Sequence, residues 1–365
     1  MSALLAELRE TIAQTGPIPL DRYMALCLGH PVHGYYRTRD PLGRAGDFTT
    51  APEISQIFGE LLGLWAAEVW HAMGRPVPCR VVELGPGRGT LMADALRAIR
   101  AALPAFAEAI DLHLVETSPV LRRAQAARLG GTGVPATWHE ETGTVPDGPV
   151  LILANEFFDA LPVRQFERRP EGWCERRVGL APDGMRLVLG LDPEPTPGLP
   201  AQAEPGAILT LPSAALAEMR RLAGRLARSG GALLCVDYGE VQLGLTDTLQ
   251  AVRAHRFADP LAAPGETDLT TQVDFGALAR AAVEAGARLH GPVTQAAFLG
   301  TLGLAQRAER LAARARPEQA EAVTGAAARL VDSSRTGMGR LFKVLGVSGP
   351  DLARLPALPS STLSG

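Results

Sequence analysis

The period of the apolar positions changes at about residue 79. Before it, "MSALLAELRETIAQTG" places Leu4, Leu5, Leu8 and Ile12 on one helical face and stops at Gly16, a C-cap glycine. "PEISQIFGELLGLWAAEVW" sets Ile54, Ile57, Phe58, Leu61, Leu62, Trp65 and Val69 along a broad apolar stripe and predicts a helix over 52–71. Thr50 and Glu53 have the spacing of a capping box for that helix, with Pro52 in its first turn. From residue 79, short apolar strands alternate with amphipathic helices: strand 80–84 and helix 90–103, strand 111–116 and helix 119–129, strands 134–138 and 150–157, helix 213–228 and strand 231–237. That alternation predicts a parallel sheet flanked by helices. Residues 163–212 break into short strands around Pro170-Glu171-Gly172 and Pro182-Asp183-Gly184 and read as inserted hairpins. Residues 240–275 are irregular, 337–347 read as a last strand, and the Pro- and Ser-rich tail reads as frayed. The expected organisation is a helical extension over 1–78, an α/β domain over 79–347 with insertions at about 163–212 and 240–275, and a flexible tail over 348–365.

The turn between the first strand and its helix, "VVELGPGRGTLMADALR" (81–97), carries candidate chemistry. Gly85, Gly87 and Gly89 lack a Cβ, so a ligand can approach the backbone there and meet the amides at the helix N-terminus. The dinucleotide fingerprint G-x-G-x-x-G/A is not met, because Thr90 stands where the third small residue belongs, and no G-K-S/T follows to make a phosphate loop. Glu83, two residues before the first glycine, would repel a pyrophosphate and welcome a cation. S-adenosylmethionine, with its ammonium and sulfonium groups, is such a ligand. An ordinary tight strand-to-helix turn is the plainer alternative.

Composition narrows the setting. The 365 residues suffice for one large domain or two ordinary ones, and a net charge of −3 gives no electrostatic reason to expect nucleic acid. Cys27, Cys79, Cys174 and Cys235 are scattered singly and form neither a disulfide framework nor a zinc site. No apolar run reaches the ~18 residues of a membrane span. Glu7 and Glu10 in the first helix argue against an acid-poor presequence, so the chain is expected to be cytoplasmic, without membrane insertion.

Ligands of open parallel sheets bind beyond the carboxyl ends of the strands, and four of the predicted strands end in acids: Glu83; Glu116; Glu156 and Asp159, with the amide Asn155 beside them; and Asp237. Glu116, after the second strand, is placed to accept both ribose hydroxyls of a nucleoside; its alternative is a solvated acid before Ser118 and Pro119 at a helix start. Asn155 and Asp159 could be simple turn formers, but that leaves Glu156 without a role. Asp47 follows Gly46 in a loop and is divided between a turn and a ligand-facing role. His139 could flank an adenine or sit on a surface loop. His30 and His33 lack partners at metal spacing and read as a packed loop, and the arginines of 164–177 alternate with Glu167, Glu171 and Glu175 as a solvated hairpin does.

Six segments together carry a resemblance: "GDFTTAPEISQIFGE" (46–60), "ELGPGRGTLMADALR" (83–97), "ANEFFDALPVRQF" (154–166), "DYG" (237–239), "GETDLTTQVDF" (265–275) and "MGRLFKVL" (338–345). The chain resembles the MidA-like methyltransferases, a family that includes a mitochondrial complex I assembly factor acting as a protein arginine methyltransferase. Gln272 stands where members often carry histidine, and no role is assigned to it. The resemblance implies an α/β class I S-adenosylmethionine-dependent methyltransferase, a Rossmann-like seven-stranded sheet with a helical N-terminal extension and a β-hairpin insertion. It implies methyl transfer to arginine of a protein substrate, a core subunit of complex I, and leaves room for a homodimer. Glu83, Gly85, Gly87, Gly89, Glu116 and Asn155 are then expected at the cofactor, with Asp47 in a cofactor or substrate loop. Glu156 and Asp159 are the expected catalytic clamp on a guanidinium, without a metal. A small-molecule methyltransferase and a cofactor-binding assembly chaperone with little catalysis are the competing functions.

Overall fold

The chain divides into two compact units. The computed structural model describes residues 2–38, 43, 49–200, 202–253 and 255–361. Thr49–Phe157, Glu218–Val241 and Phe275–Gly365 make a larger unit, and Met1–Phe48, Phe158–Ala217 and Gln242–Asp274 a smaller one.

The larger unit is built on strands β1 (Cys79–Leu84), β2 (Ile110–Val115), β3 (Ala136–His139), β4 (Val150–Asn155), β5 (Gly231–Glu240), β6 (Arg288–Thr294) and β7 (Phe342–Ser348). They lie in the order β3-β2-β1-β4-β5-β7-β6. The first five are mutually parallel, and β7 runs antiparallel between β5 and β6. β1 and β4 are buried almost throughout, as strands covered on both faces must be. The carboxyl ends of β1, β2, β4 and β5 therefore open on one rim, which is where the acids stand. Strand β6 escapes the sequence pattern because Gly291-Pro292 interrupts it with a register shift between His290 and Val293.

Three helices matter to that rim: α1 (Gln56–Ala72), α2 (Thr90–Ala102) and α3 (Pro119–Leu129). The single helix predicted over 52–71 is broken. Ala51–Ile54 forms one turn, Ser55 is extended (φ −154°, ψ 132°), and its hydroxyl accepts from the Ile57 N–H to start α1. Thr50 makes no side-chain cap, so the predicted capping box does not form and Glu53 is released for other partners. Helices α1 and α2 approach closely at two glycines of "GELLG". A Cβ on Gly59 would lie 2.7 Å from the Leu91 carbonyl oxygen, and one on Gly63 would lie 2.6 Å from that of Ala95. After β7, Leu352, Leu355 and Leu358 are buried in the core and Ser360–Ser361 pairs with β6, so apolar anchors hold a segment whose composition reads as frayed.

The smaller unit assembles three distant stretches around one core. Leu4, Leu8 and Ile12 of the Ala3–Thr15 helix and Leu20, Tyr23, Met24 and Cys27 of the Leu20–Gly29 helix share it with Val163, Val178, Leu187, Ala251 and Leu269. Its main sheet joins Ile18–Pro19, Gly172–Leu180, Arg164–Arg169 and Ile208–Leu211, with Leu187–Leu191 added to Gly172–Leu180. Leu249–Arg253, Arg256–Phe257 and Asp268–Thr271 form a second, three-stranded sheet. The hairpin arginines are engaged: Arg164 and Arg177 flank the buried Glu175, and Arg176 reaches Asp247. No helix among the described residues is long and apolar enough to cross a membrane.

Candidate active site

The glycine turn sits between β1 and α2. Gly85, Gly87 and Gly89 have φ values of 61°, 54° and 77°, in the left-handed region that branched side chains avoid. Gly89 is the N-cap of α2 and offers no side chain to the first turn, so no side-chain cap occupies the helix amides there. Glu53 clasps the turn from the segment before α1: its Oε1 accepts from the Thr90 hydroxyl at 2.5 Å, and Arg88 approaches its other oxygen at 3.5 Å. This is the destination of the glutamate that the sequence pattern assigns to a cap.

Two buried carboxylates end the neighbouring strands. Glu83 is 3% exposed, and its Oε2 has no hydrogen-bond partner among the described residues. Burial first, and the charge of Glu116 second, push its pKa well above the ordinary carboxylate value. A buried, unpaired carboxylate oxygen beside a helix N-terminus fits a cationic ligand, which would supply the missing partner. Glu116 is also buried but well held. Its Oε1 accepts from the Ser118 N–H at 2.7 Å and its Oε2 from Gln125 at 3.2 Å, while its own N–H donates to the His139 carbonyl. Burial raises its pKa, and the donors of Ser118, Gln125 and Thr117 with the nearby Arg122 pull the other way.

The chain after β4 turns sharply. Glu156 takes φ 51°, rare for a residue with a side chain, and its N–H donates to the Val236 carbonyl of β5 at 2.9 Å. Its Oε1 receives the Ala51 N–H at 3.4 Å and the Asn155 amide at 3.3 Å. Asp237, fully buried on β5, accepts from the Phe157 N–H at 3.2 Å and from the Tyr238 N–H at 2.9 Å, so it is an anchor for this turn. Phe157 in turn packs under the glycine loop, 3.4 Å from where a Cβ on Gly85 would be. The larger unit thus brings Glu83, Gly85, Gly87, Gly89, Glu116, Asn155 and Glu156 to one edge of its parallel strands.

Comparison with known proteins gives this arrangement a lineage. Residues 61–293 match the family described as "Putative S-adenosyl-L-methionine-dependent methyltransferase". The chain belongs to this methyltransferase family. It is 39% identical to the Drosophila melanogaster protein named protein arginine methyltransferase NDUFAF7 homolog, mitochondrial, over 98% of this chain and 88% of that one. It is also 39% identical to human protein arginine methyltransferase NDUFAF7, mitochondrial, over 83% of this chain and 74% of that one. A Burkholderia thailandensis crystal structure, described as a "likely methyl transferase" bound to S-adenosyl-homocysteine, superposes with a TM-score of 0.82 at 32% identity, covering 97% of this chain and 94% of that one. The cytoplasmic expectation is overturned by these relatives, which are named mitochondrial. Its physical basis was weak: Leu4, Leu8 and Ile12 bury the first helix in a folded core, and the acids on its outer face report on that packing rather than on an address.

In this methyltransferase, S-adenosyl-L-methionine is the cofactor, and the chemistry of the unpaired Glu83 oxygen, the positive-φ glycines and the tethered Glu116 is of a kind that fits it. Asp159 belongs to the smaller unit, where it is buried and its carbonyl accepts from the Thr271 N–H at 3.0 Å. Asp47 lies outside the described residues. His139 is tied down: its Nε2 lies 2.9 Å from Nδ1 of the buried His113 and its Nδ1 2.9 Å from the Thr144 hydroxyl. Burial, then the charge of His113, lowers its pKa. His30 and His33 stack at 5.4 Å and both face Glu7 at 3.1 Å.

Proposed function

We propose that this chain methylates an arginine side chain of a protein substrate, and that Glu156 is the carboxylate that holds the guanidinium. The observation that carries the reading is the strained Glu156 itself. An acid kept in the left-handed region, at the carboxyl end of a parallel strand and beside the glycine turn, is retained for its side chain. A guanidinium has a pKa above ~12 and is a poor nucleophile; a carboxylate that accepts two of its N–H groups localises its charge and aims one nitrogen. Positioning then does most of the work. S-Adenosylmethionine, when bound, supplies the electrophilic methyl group, and no metal is needed.

Asp159, three residues further along the chain, is proposed as the second carboxylate of the clamp. Glu83 and the amides after Gly85, Gly87 and Gly89 are proposed to receive the charged amino-acid end of the cofactor, Glu116 its ribose hydroxyls, and Asn155 to orient Glu156. The relatives named protein arginine methyltransferases, 39% identical over most of the chain, support arginine as the acceptor. The substrate we propose is a core subunit of complex I.

The test is transfer of a radiolabelled methyl group from S-adenosylmethionine to that subunit, followed by amino-acid analysis of the labelled product. Methylarginine is the expected product. Label found only on a metabolite would overturn the protein substrate, and label on lysine or histidine would overturn the guanidinium clamp.

A further inference from the structure

Gln125 lies outside every motif of the sequence, yet it touches the glycine turn, the ribose acid and the third strand at once. It is fully buried on α3. Its Nε2 donates to the Gly87 carbonyl at 2.8 Å and to Glu116 Oε2 at 3.2 Å, and its Oε1 accepts from the indole N–H of Trp138 on β3 at 2.8 Å. The turn also rests on it sterically: a Cβ on Gly89 would lie 3.4 Å from the Gln125 Cα.

Both ends of the amide are determined by what they meet. Flipped, its oxygen would face a carbonyl and a carboxylate while its NH2 group faced the indole donor, so every contact would become repulsive. Glutamate at 125 would set a second carboxylate against Glu116, and asparagine would be one methylene too short to bridge. An uncharged side chain with two donors and one acceptor, of glutamine length, is what the three partners require. A buried polar side chain with every contact satisfied specifies geometry beyond what packing alone would fix.

We propose that Gln125 is a positioning residue for cofactor binding, holding Glu116 and the Gly87 carbonyl at a set spacing so that the ribose acid and the glycine turn receive the ligand as one rigid element. The proposal rests on the reading of Glu116 as the ribose acceptor. Pre-organisation of this kind lowers the ordering cost of binding. Its signature is selective: loosening Glu116 weakens recognition of the ribose hydroxyls more than recognition of the rest of the ligand.

The experiment is titration calorimetry of S-adenosylhomocysteine and of its 2′-deoxy analogue against the full-length protein, the Gln125→Met variant and the Trp138→Phe variant, with a thermal melt confirming that each is folded. The wild type is expected to prefer S-adenosylhomocysteine by about tenfold or more, the value of a hydrogen bond to a charged acceptor. Gln125→Met keeps length and volume but removes both donors, and the preference is expected to fall below about threefold. Trp138→Phe leaves the donors in place and frees the oxygen, so the preference is expected to fall part of the way; this variant decides if Gln125→Met does not fold. Equal weakening of both ligands, or an undiminished preference in the folded variants, would reduce Gln125 to a packing residue and overturn the proposal. A wild type with no preference would instead remove Glu116 from the ribose, and this inference with it.

Discussion

Of the places where the larger unit takes the backbone to positive φ, two lie at the carboxyl ends of neighbouring parallel strands, and they do so with opposite residue types. After β1 the residues are Gly85, Gly87 and Gly89; after β4 the residue is Glu156, at φ 51°. Glycine adopts that conformation without steric cost and leaves room above the backbone, whereas a glutamate there carries strain on the order of 1–3 kcal/mol. The first turn is built for what it omits, the second for the side chain it carries. On the proposed function, ligand backbone contact belongs to one and side-chain chemistry to the other.

The sharpest way to break this comparison is Glu156→Gln, which keeps the shape and removes the charge. Methyl transfer is expected to fall by about 100- to 1000-fold, with the Kd of S-adenosylhomocysteine changed less than about twofold. A loss of affinity equal to the loss of rate would merge the two turns into one function. Gly87→Val makes the complementary change at φ 54°. A branched side chain where the ligand meets the backbone is expected to raise the Kd by about 100-fold or more in calorimetry, and wild-type affinity in a folded variant would remove the turn from the site.

Glu116→Ala asks whether the acid beyond β2 belongs with the glycine turn. Binding is expected to weaken by about 1.5–3 kcal/mol, against no effect for a surface control such as Glu318→Ala. Glu83 adds a pH dependence. Because its folded pKa is raised well above the ordinary value of 4.5, the folded ligand-free protein keeps a proton that the unfolded chain releases. Its effect on stability is therefore nil below that ordinary value and increasingly unfavourable as pH rises toward the folded pKa. A bound cation favours the ionised form, so binding is expected to release up to about one proton, read from calorimetry in buffers of different ionisation enthalpy. Proton uptake would contradict the assignment.

The smallest effects come from exchanging the two residue types. Gly85→Ala is expected to lose about 1 kcal/mol of stability in chemical denaturation, chiefly from its φ of 61°, since its new Cβ would meet Phe157 at an ordinary 3.4 Å. Glu156→Gly is expected to lose none, the relief of strain offsetting the freer unfolded chain. A destabilised Glu156→Gly would mean that the glutamate supports the turn rather than straining it.

What could be read from the sequence is local. Buried parallel strands are apolar runs, their ends carry the acids, and so β1, β2, β4, β5 and the rim residues Glu83, Glu116 and Glu156 stand out in the chain. The capping-box spacing of Thr50 and Glu53 misleads because Ser55, one turn later, takes the cap, and only the folded state brings Thr90 to Glu53. Gln125 gives no signal, since its three partners lie at 87, 116 and 138. The smaller unit is equally hidden: its core joins residues near 4, 178 and 269, and no local pattern announces contacts at that separation.

The close approach of α1 and α2 at Gly59 and Gly63 bears on how this protein could be engineered. Replacing a helix glycine by alanine ordinarily adds about 1 kcal/mol of stability and is a standard route to heat-resistant variants. Here the added methyl groups would meet backbone carbonyl oxygens at 2.7 and 2.6 Å. Backbone cannot yield as a flexible side chain can, so α2 would have to slide outward, carrying its first residue, Thr90, and the neighbouring glycines with it. A designer scanning for flexible positions would rank these two glycines first, and a methyl group at either would act as a wedge against the first turns of α2, next to the glycine turn itself.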